Sequence, residues 1–124
     1  MTHTRTIANA YLEAIEFTDC GPDDPERSDA TWSESIFTHA DDAVLLYLRR
    51  LPDGVLNEVS GAVESGRYSW DQFGHDLWLT RNGHGAGFWD RGLGELGDTL
   101  TDHASAMGSV DTYIGDDDEL HTTN

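Results

Sequence analysis

Residues 74–92 constrain the fold more than any other stretch, because they place five glycines among aromatic and charged side chains. Residues 76–81 follow an alternating pattern typical of a strand, and residues 86–91 read as a second strand. Between them, Asn82-Gly83-His84-Gly85 supplies residues that tolerate a positive φ angle. The segment therefore predicts a β-hairpin that turns at Gly83-His84.

The turn position fixes the register of this predicted hairpin. It sets three chemically matched pairs opposite one another: Trp78 with Trp89, Leu79 with Phe88, and Asp76 with Arg91. A turn at Asn82-Gly83 would lose both the aromatic contact and the ion pair, which stabilise cross-strand neighbours. We therefore expect the first register.

Helical spacing of apolar residues predicts most of the remaining structure. A first amphipathic helix is expected over residues 5–17. A middle helix starts at Thr31 or at Thr38, and Pro52-Asp53-Gly54 separates its apolar stripe from a second one at residues 55–63 that ends at Gly66. Ser69 caps a single helical turn closed by Gly74, and a last helix covers residues 93–104.

These elements predict one α+β domain over residues 1–124, with about four helices packed on a small three-stranded antiparallel sheet. The third strand is expected within residues 109–115, beside the hairpin. Residues 18–30 carry glycine, prolines and acids without periodicity and predict a mobile loop, and residues 116–124 predict a polar tail. Cys20 lies in that loop beside carboxylates, which disfavour a reactive thiolate.

The chain is strongly acidic and contains no lysine: 24 acids against seven arginines give a formal net charge of −17. Such a balance argues against direct binding of nucleic acid or an anionic membrane, since both require a positive surface. No apolar run is long enough for a membrane helix. Basic proteins are the partners that this charge favours. Salt adaptation, imitation of nucleic-acid phosphates, or a charge without special meaning would each explain it.

Candidate functional residues concentrate in the same segment. For acid/base chemistry we single out His75, Asp76 and His84. For binding, the candidates are Arg81, Asn82, Asp90, Arg91, and the helical acids Asp98 and Asp102, which are one turn apart. His75 and His84 would be separated by up to about 25 Å along an extended strand, so no metal site is expected.

No nucleophile or phosphate-loop motif is found, and no cofactor is predicted. The aromatic cluster around Trp78 and Trp89 favours core packing over a stacking platform.

The run GHDLWLTRNGHGAGFWDRGLG, at residues 74–94, resembles a family of small acidic proteins encoded by tailed phages and prophages. The likeness continues more weakly to residues 110–117, whereas the first sixty residues share only the general layout. No activity is established for that family, so the resemblance carries over no catalytic residue. It implies a viral accessory protein that acts in the cytoplasm of the host cell.

Three functions remain open from the sequence. The first is a non-enzymatic acidic interaction module that binds a basic host or phage protein and inhibits a nucleic-acid-binding or defence system. The second is a small hydrolase or ligand-binding enzyme with its site on the hairpin of residues 74–92. The third is a structural or virion component with a salt-adapted surface. The oligomeric state is not predicted.

Overall fold

The computed structural model describes residues 3–19 and 30–123, and within these ranges it contains five α-helices and three short strands. The α+β class expected from the sequence is confirmed, but the described residues form five helices where about four were expected. In chain order the elements are α1 (Thr4–Asp19), β1 (Thr31–Trp32), α2 (Glu34–Arg50), α3 (Val55–Glu64), α4 (Trp70–Arg81), a 3-10 turn (Phe88–Asp90), α5 (Glu95–Ala106), β2 (Thr112–Ile114) and β3 (Glu119–Thr122).

The predicted hairpin at residues 76–91 is wrong, because its first half belongs to α4. Ser69 caps this helix as expected, accepting a hydrogen bond from the Gln72 amide at 3.0 Å, but Gly74 does not end it. A side chain at Gly74 would collide with the Ile7 carbonyl and would lie 2.7 Å from Ala10 Cβ on α1. The glycine therefore serves the close approach of two helices and does not form a turn.

Burial along α4 follows a helical period. Trp70, Phe73, Leu77 and Arg81 are buried at positions separated by three or four residues, and the buried Trp78 adjoins Leu77. This spacing places them on one stripe of a helix, whereas a strand would have turned alternate residues to opposite faces. The pairing of Trp78 with Trp89 is accordingly not formed. Trp78 is fully buried, and Trp89 is 43% exposed.

The sheet is mixed, not purely antiparallel, and its strand order is β1-β3-β2. β1 runs parallel to β3, with Trp32 opposite Leu120, and β2 runs antiparallel to β3. The third strand predicted within residues 109–115 is β2, but part of the predicted polar tail forms the central strand β3. Its alternating burial explains this, since Leu120 and Thr122 face inward.

The helical boundaries are confirmed in part. α2 and α3 are separate helices interrupted at residues 51–54, and Gly66, with φ +80°, follows the end of α3. The expected starts at Thr31 and Thr38 are wrong: α2 begins after Ser33, because Thr31 and Trp32 pair with β3. Of the predicted loop at residues 18–30, Thr18 and Asp19 belong to α1. Residues 20–29, including Cys20, lie outside the described residues.

The core forms where α1 crosses α4 and where aromatic side chains fill the space beside α2. Trp78 packs edge-on against Tyr11, with ring centroids 5.3 Å apart, and its indole N–H donates to Thr18 Oγ1 at 2.9 Å. Phe73 and Phe88 pack together and against Tyr47. Among the described residues, no helix is both long enough and apolar enough to span a membrane.

Candidate functional site

Asp76 is fully buried on α4 and is held by three side chains. Arg91 Nη2 donates to its Oδ1 at 2.7 Å, and Arg91 Nε contacts both oxygens at 3.1 Å. The Tyr68 hydroxyl donates to Oδ2 at 2.5 Å, and Gln72 Nε2 donates to Oδ1 at 3.0 Å. The ion pair expected between Asp76 and Arg91 is therefore present, although it joins a helix to the following loop instead of two strands.

The phenols of Tyr68 and Tyr47, which lie near the Asp76–Arg91 ion pair, are neutral. Burial, and secondarily the Asp76 carboxylate, raises the pKa of Tyr68 well above its usual range. The same two causes raise the pKa of Tyr47. The hydrogen bond to Asp76 raises the pKa of the Arg91 guanidinium. Because both oxygens of Asp76 are occupied by donors of the protein itself, this carboxylate is suited to holding the fold together and not to proton transfer.

Arg81 is also buried and fastens the end of α5. Its Nε donates to the Gly108 carbonyl at 2.8 Å, and its Nη2 donates to the Met107 carbonyl at 3.1 Å. These carbonyls lie at the negative end of the helix dipole, where a cation is stabilising. The third contact, from Nη1 to the Tyr11 hydroxyl at 3.2 Å, links Arg81 to α1.

The Tyr11 hydroxyl continues this chain of hydrogen bonds to His39 on α2, with 2.8 Å between Oη and Nε2. Burial, reinforced by the Arg81 charge and opposed by Asp42, lowers the pKa of His39 to about 4. Burial raises the pKa of Tyr11 to about 12, against the effect of Arg81. Both groups are therefore neutral at pH 7. Since Tyr11 accepts from Arg81, its single proton is available for His39 Nε2, which leaves the imidazole proton on Nδ1.

An open pocket of about 300 Å³ lies against this network, between α2, α4 and α5. Its lining residues are His39, Asp42, Ala43, Leu46, Arg50, Arg81, Ala106 and Met107. A second open pocket, of about 630 Å³, lies between α3 and the segment that leads into α5, and its lining side chains are partly or fully exposed. Of these two pockets, the one of about 300 Å³ is lined by buried polar side chains, those of His39 and Arg81.

The other residues predicted for the site do not converge on either pocket. His75 is half-buried, with its Nε2 4.0 Å from Glu13, while His84 and Asp90 are exposed in the loop after α4. Asn82 accepts a hydrogen bond from the Val110 amide at 2.7 Å and so fixes the chain before β2. Arg81 alone among the predicted residues lines the pocket of about 300 Å³. Asp98 and Asp102 are exposed on α5.

Sequence reasoning missed two groupings. Tyr11 and His39 carry no joint signal in the sequence, because only the packing of α1 on α2 brings them together. Asp117, Glu119 and His121 each offer a ligand atom, and these atoms lie within 4.8 Å of one another, as metal-binding groups do. The sequence signal for this second grouping was the spacing of two residues between its members, since that spacing places side chains on one face of an extended strand. His121 also contacts Ser35 Oγ through Nδ1 at 3.2 Å.

The chain matches no protein-family model, no curated protein and no solved structure. Its fold and pockets define a small acidic α+β protein with two internal arginine networks.

Proposed function

We propose that this chain is a phage-type accessory protein that works as a non-enzymatic acidic interaction module in the host cytoplasm. Its partner is a basic host or phage protein, and binding inhibits a nucleic-acid-binding or defence system. The proposal rests on the phage-protein resemblance of residues 74–94 and on the charge distribution of the surface.

Three of the six arginines among the described residues contact a carboxylate or an internal carbonyl of the chain, and two of these, Arg81 and Arg91, are used inside the fold. Arg81 and Arg91 hold internal carbonyls and Asp76, and Arg5 pairs with Asp41 at 3.3 Å. The arginines of the described residues that remain exposed without such a contact to an acid are Arg49, Arg50 and Arg67. With a net charge of −17, the surface is left strongly negative, which favours encounter with a positively charged protein.

One rigid element gives this charge a defined shape, and this observation carries the proposal. Glu95, Asp98 and Asp102 are exposed on α5, at the spacing that puts three side chains on one helical stripe. The stripe is about 10 Å long at the helical rise of 1.5 Å per residue. Among the described residues, none of the three acids has a salt-bridge partner. A stripe of this kind fits a basic surface with little reorganisation.

The test compares two triple variants that remove the same charge. One is Glu95→Gln/Asp98→Asn/Asp102→Asn on α5, and the matched control is Asp53→Asn/Glu64→Gln/Asp71→Asn, at exposed positions elsewhere. Each tagged protein is used to capture partners from bacterial lysate at low and at high salt. The proposal expects a basic protein that the wild type and the control retain, that the α5 variant loses, and that salt releases.

Three outcomes would contradict the proposal: no basic protein is captured, capture is indifferent to salt, or both triple variants lose the partner equally. If the acids imitate phosphates, duplex DNA should displace the captured protein. If they serve salt adaptation in a structural or virion component, the free energy of unfolding should collapse below molar salt and no specific partner should be retained.

A further inference from the structure

The pocket of about 300 Å³ between α2, α4 and α5 is lined by more cationic than anionic side chains, whereas the chain as a whole is strongly acidic. Two of the seven arginines, Arg50 and Arg81, contribute to it, together with the neutral His39. Asp42 is the acid among its lining residues, and it is exposed. Locally, therefore, donors and cations outnumber acceptors.

Some N–H groups of the Arg81 guanidinium are not used in hydrogen bonds to the described residues. A guanidinium carries five N–H groups, and the hydrogen bonds to Gly108, Met107 and Tyr11 use about three of them. One hydrogen on each terminal nitrogen is left without an acceptor among the described residues. No described carboxylate pairs with Arg81, although it is only 7% exposed. A buried cation without a counter-ion is destabilising, and the α5 dipole offsets only part of this effect.

His39 adds a donor from another wall of the pocket. With Tyr11 donating to Nε2, the neutral ring carries its proton on Nδ1. The remaining lining is apolar and includes Leu46 and Met107. Small-molecule sites combine such an apolar wall with a few polar groups, and about 300 Å³ is the lower end of their size range.

We propose that this pocket binds a small organic carboxylate. The carboxylate group lies against Arg81 and His39, Arg50 faces it from the exposed side, and a short apolar chain packs on Leu46 and Met107. The planar fork of a guanidinium matches the two oxygens of a carboxylate, which supplies the counter-ion that Arg81 lacks.

Sodium butyrate is the probe, titrated at constant ionic strength against the full chain and followed by NMR. The informative variant is Arg50→Gln, because Arg50 is exposed and its loss leaves the internal network intact. Arg49→Gln is the matched control, since it removes the same charge from the neighbouring exposed residue, which does not line the pocket. We expect saturable binding that Arg50→Gln weakens by about fivefold and that Arg49→Gln changes by less than about twofold.

The ring of His39 gives a second readout at pH 7, where the imidazole is neutral and butyrate is ionised, because a carboxylate bound against the ring should shift its NMR resonances. Four results would overturn the proposal: binding that does not saturate, equal weakening by the two arginine variants, His39 resonances unaffected by butyrate, or inorganic phosphate binding as tightly as butyrate. The last result would mean that the apolar wall contributes nothing. Butylamine, which shares the apolar chain but carries a positive charge, should not bind.

Discussion

Arg91 reaches back from the loop after α4 to contact both carboxylate oxygens of Asp76, which is fully buried in that helix. The contact joins the two ends of the segment of residues 76–91. Tyr68, which precedes α4 in the chain, also donates a hydrogen bond to the Asp76 carboxylate. Much of the polar character that makes this segment conspicuous is thus used within the fold.

The two partners of this ion pair should differ in the effect of their loss. Arg91→Gln leaves a buried carboxylate without its cation, and we expect it to lower the free energy of unfolding by about 3 kcal/mol or more. Asp76→Asn should have a smaller effect, because the side chain of Arg91 is 27% exposed and can be hydrated. Urea unfolding followed by tryptophan fluorescence measures both. A greater loss in Asp76→Asn than in Arg91→Gln would contradict the assignment.

Gly74 should not tolerate a methyl group. Gly74→Ala places Cβ against the backbone of α1, and we expect a loss of about 1–3 kcal/mol from overpacking. The matched control is Gly61→Ala in α3, where a Cβ meets nothing within 4 Å, and where alanine should stabilise the helix by about 0.5–1 kcal/mol. Thermal unfolding of both variants tests the packing of α1 on α4. Similar effects of the two substitutions would show that the helices do not approach this closely.

The neutral state of His39 predicts an acid-sensitive fold. The unfolded chain binds a proton at this histidine below a pH near 6.5, whereas the folded chain does so only near pH 4. Protonation therefore favours unfolding between these values, and the wild type should lose up to about 3 kcal/mol relative to His39→Gln as the pH falls through this window. His84→Gln, at an exposed position, should keep the wild-type profile. Parallel stability curves for the wild type and His39→Gln would refute this prediction.

The two tryptophans of the predicted cross-strand pair should behave differently. Trp78→Phe removes buried surface and the hydrogen bond to Thr18, and we expect a loss of about 2 kcal/mol. Trp89→Phe should cost less than about 0.5 kcal/mol, because this ring is 43% exposed. Chemical denaturation of the two variants checks the difference. Equal losses would favour the paired arrangement that the sequence first suggested.

The positions of several chain breaks and caps could be derived from local chemistry. Ser69 caps α4, and Pro52 and Gly54 separate α2 from α3, because side-chain capping, a fixed φ angle and a left-handed φ angle act within a few residues. The ion pair of Asp76 with Arg91 was also correct, although the geometry inferred for it was wrong. Opposite charges in one short segment can meet along more than one backbone path.

The amino-acid sequence by itself determined the α+β class, the acidity and the main helical stripes, since composition and periodicity are local properties. Only the tertiary structure decided that residues 70–81 form a helix. Gly74 weakens a helix in isolation, and the contact with α1 compensates for it. The joining of Arg81, Tyr11 and His39 was likewise decided by packing, because their hydrogen bonds link three helices that are distant in the chain.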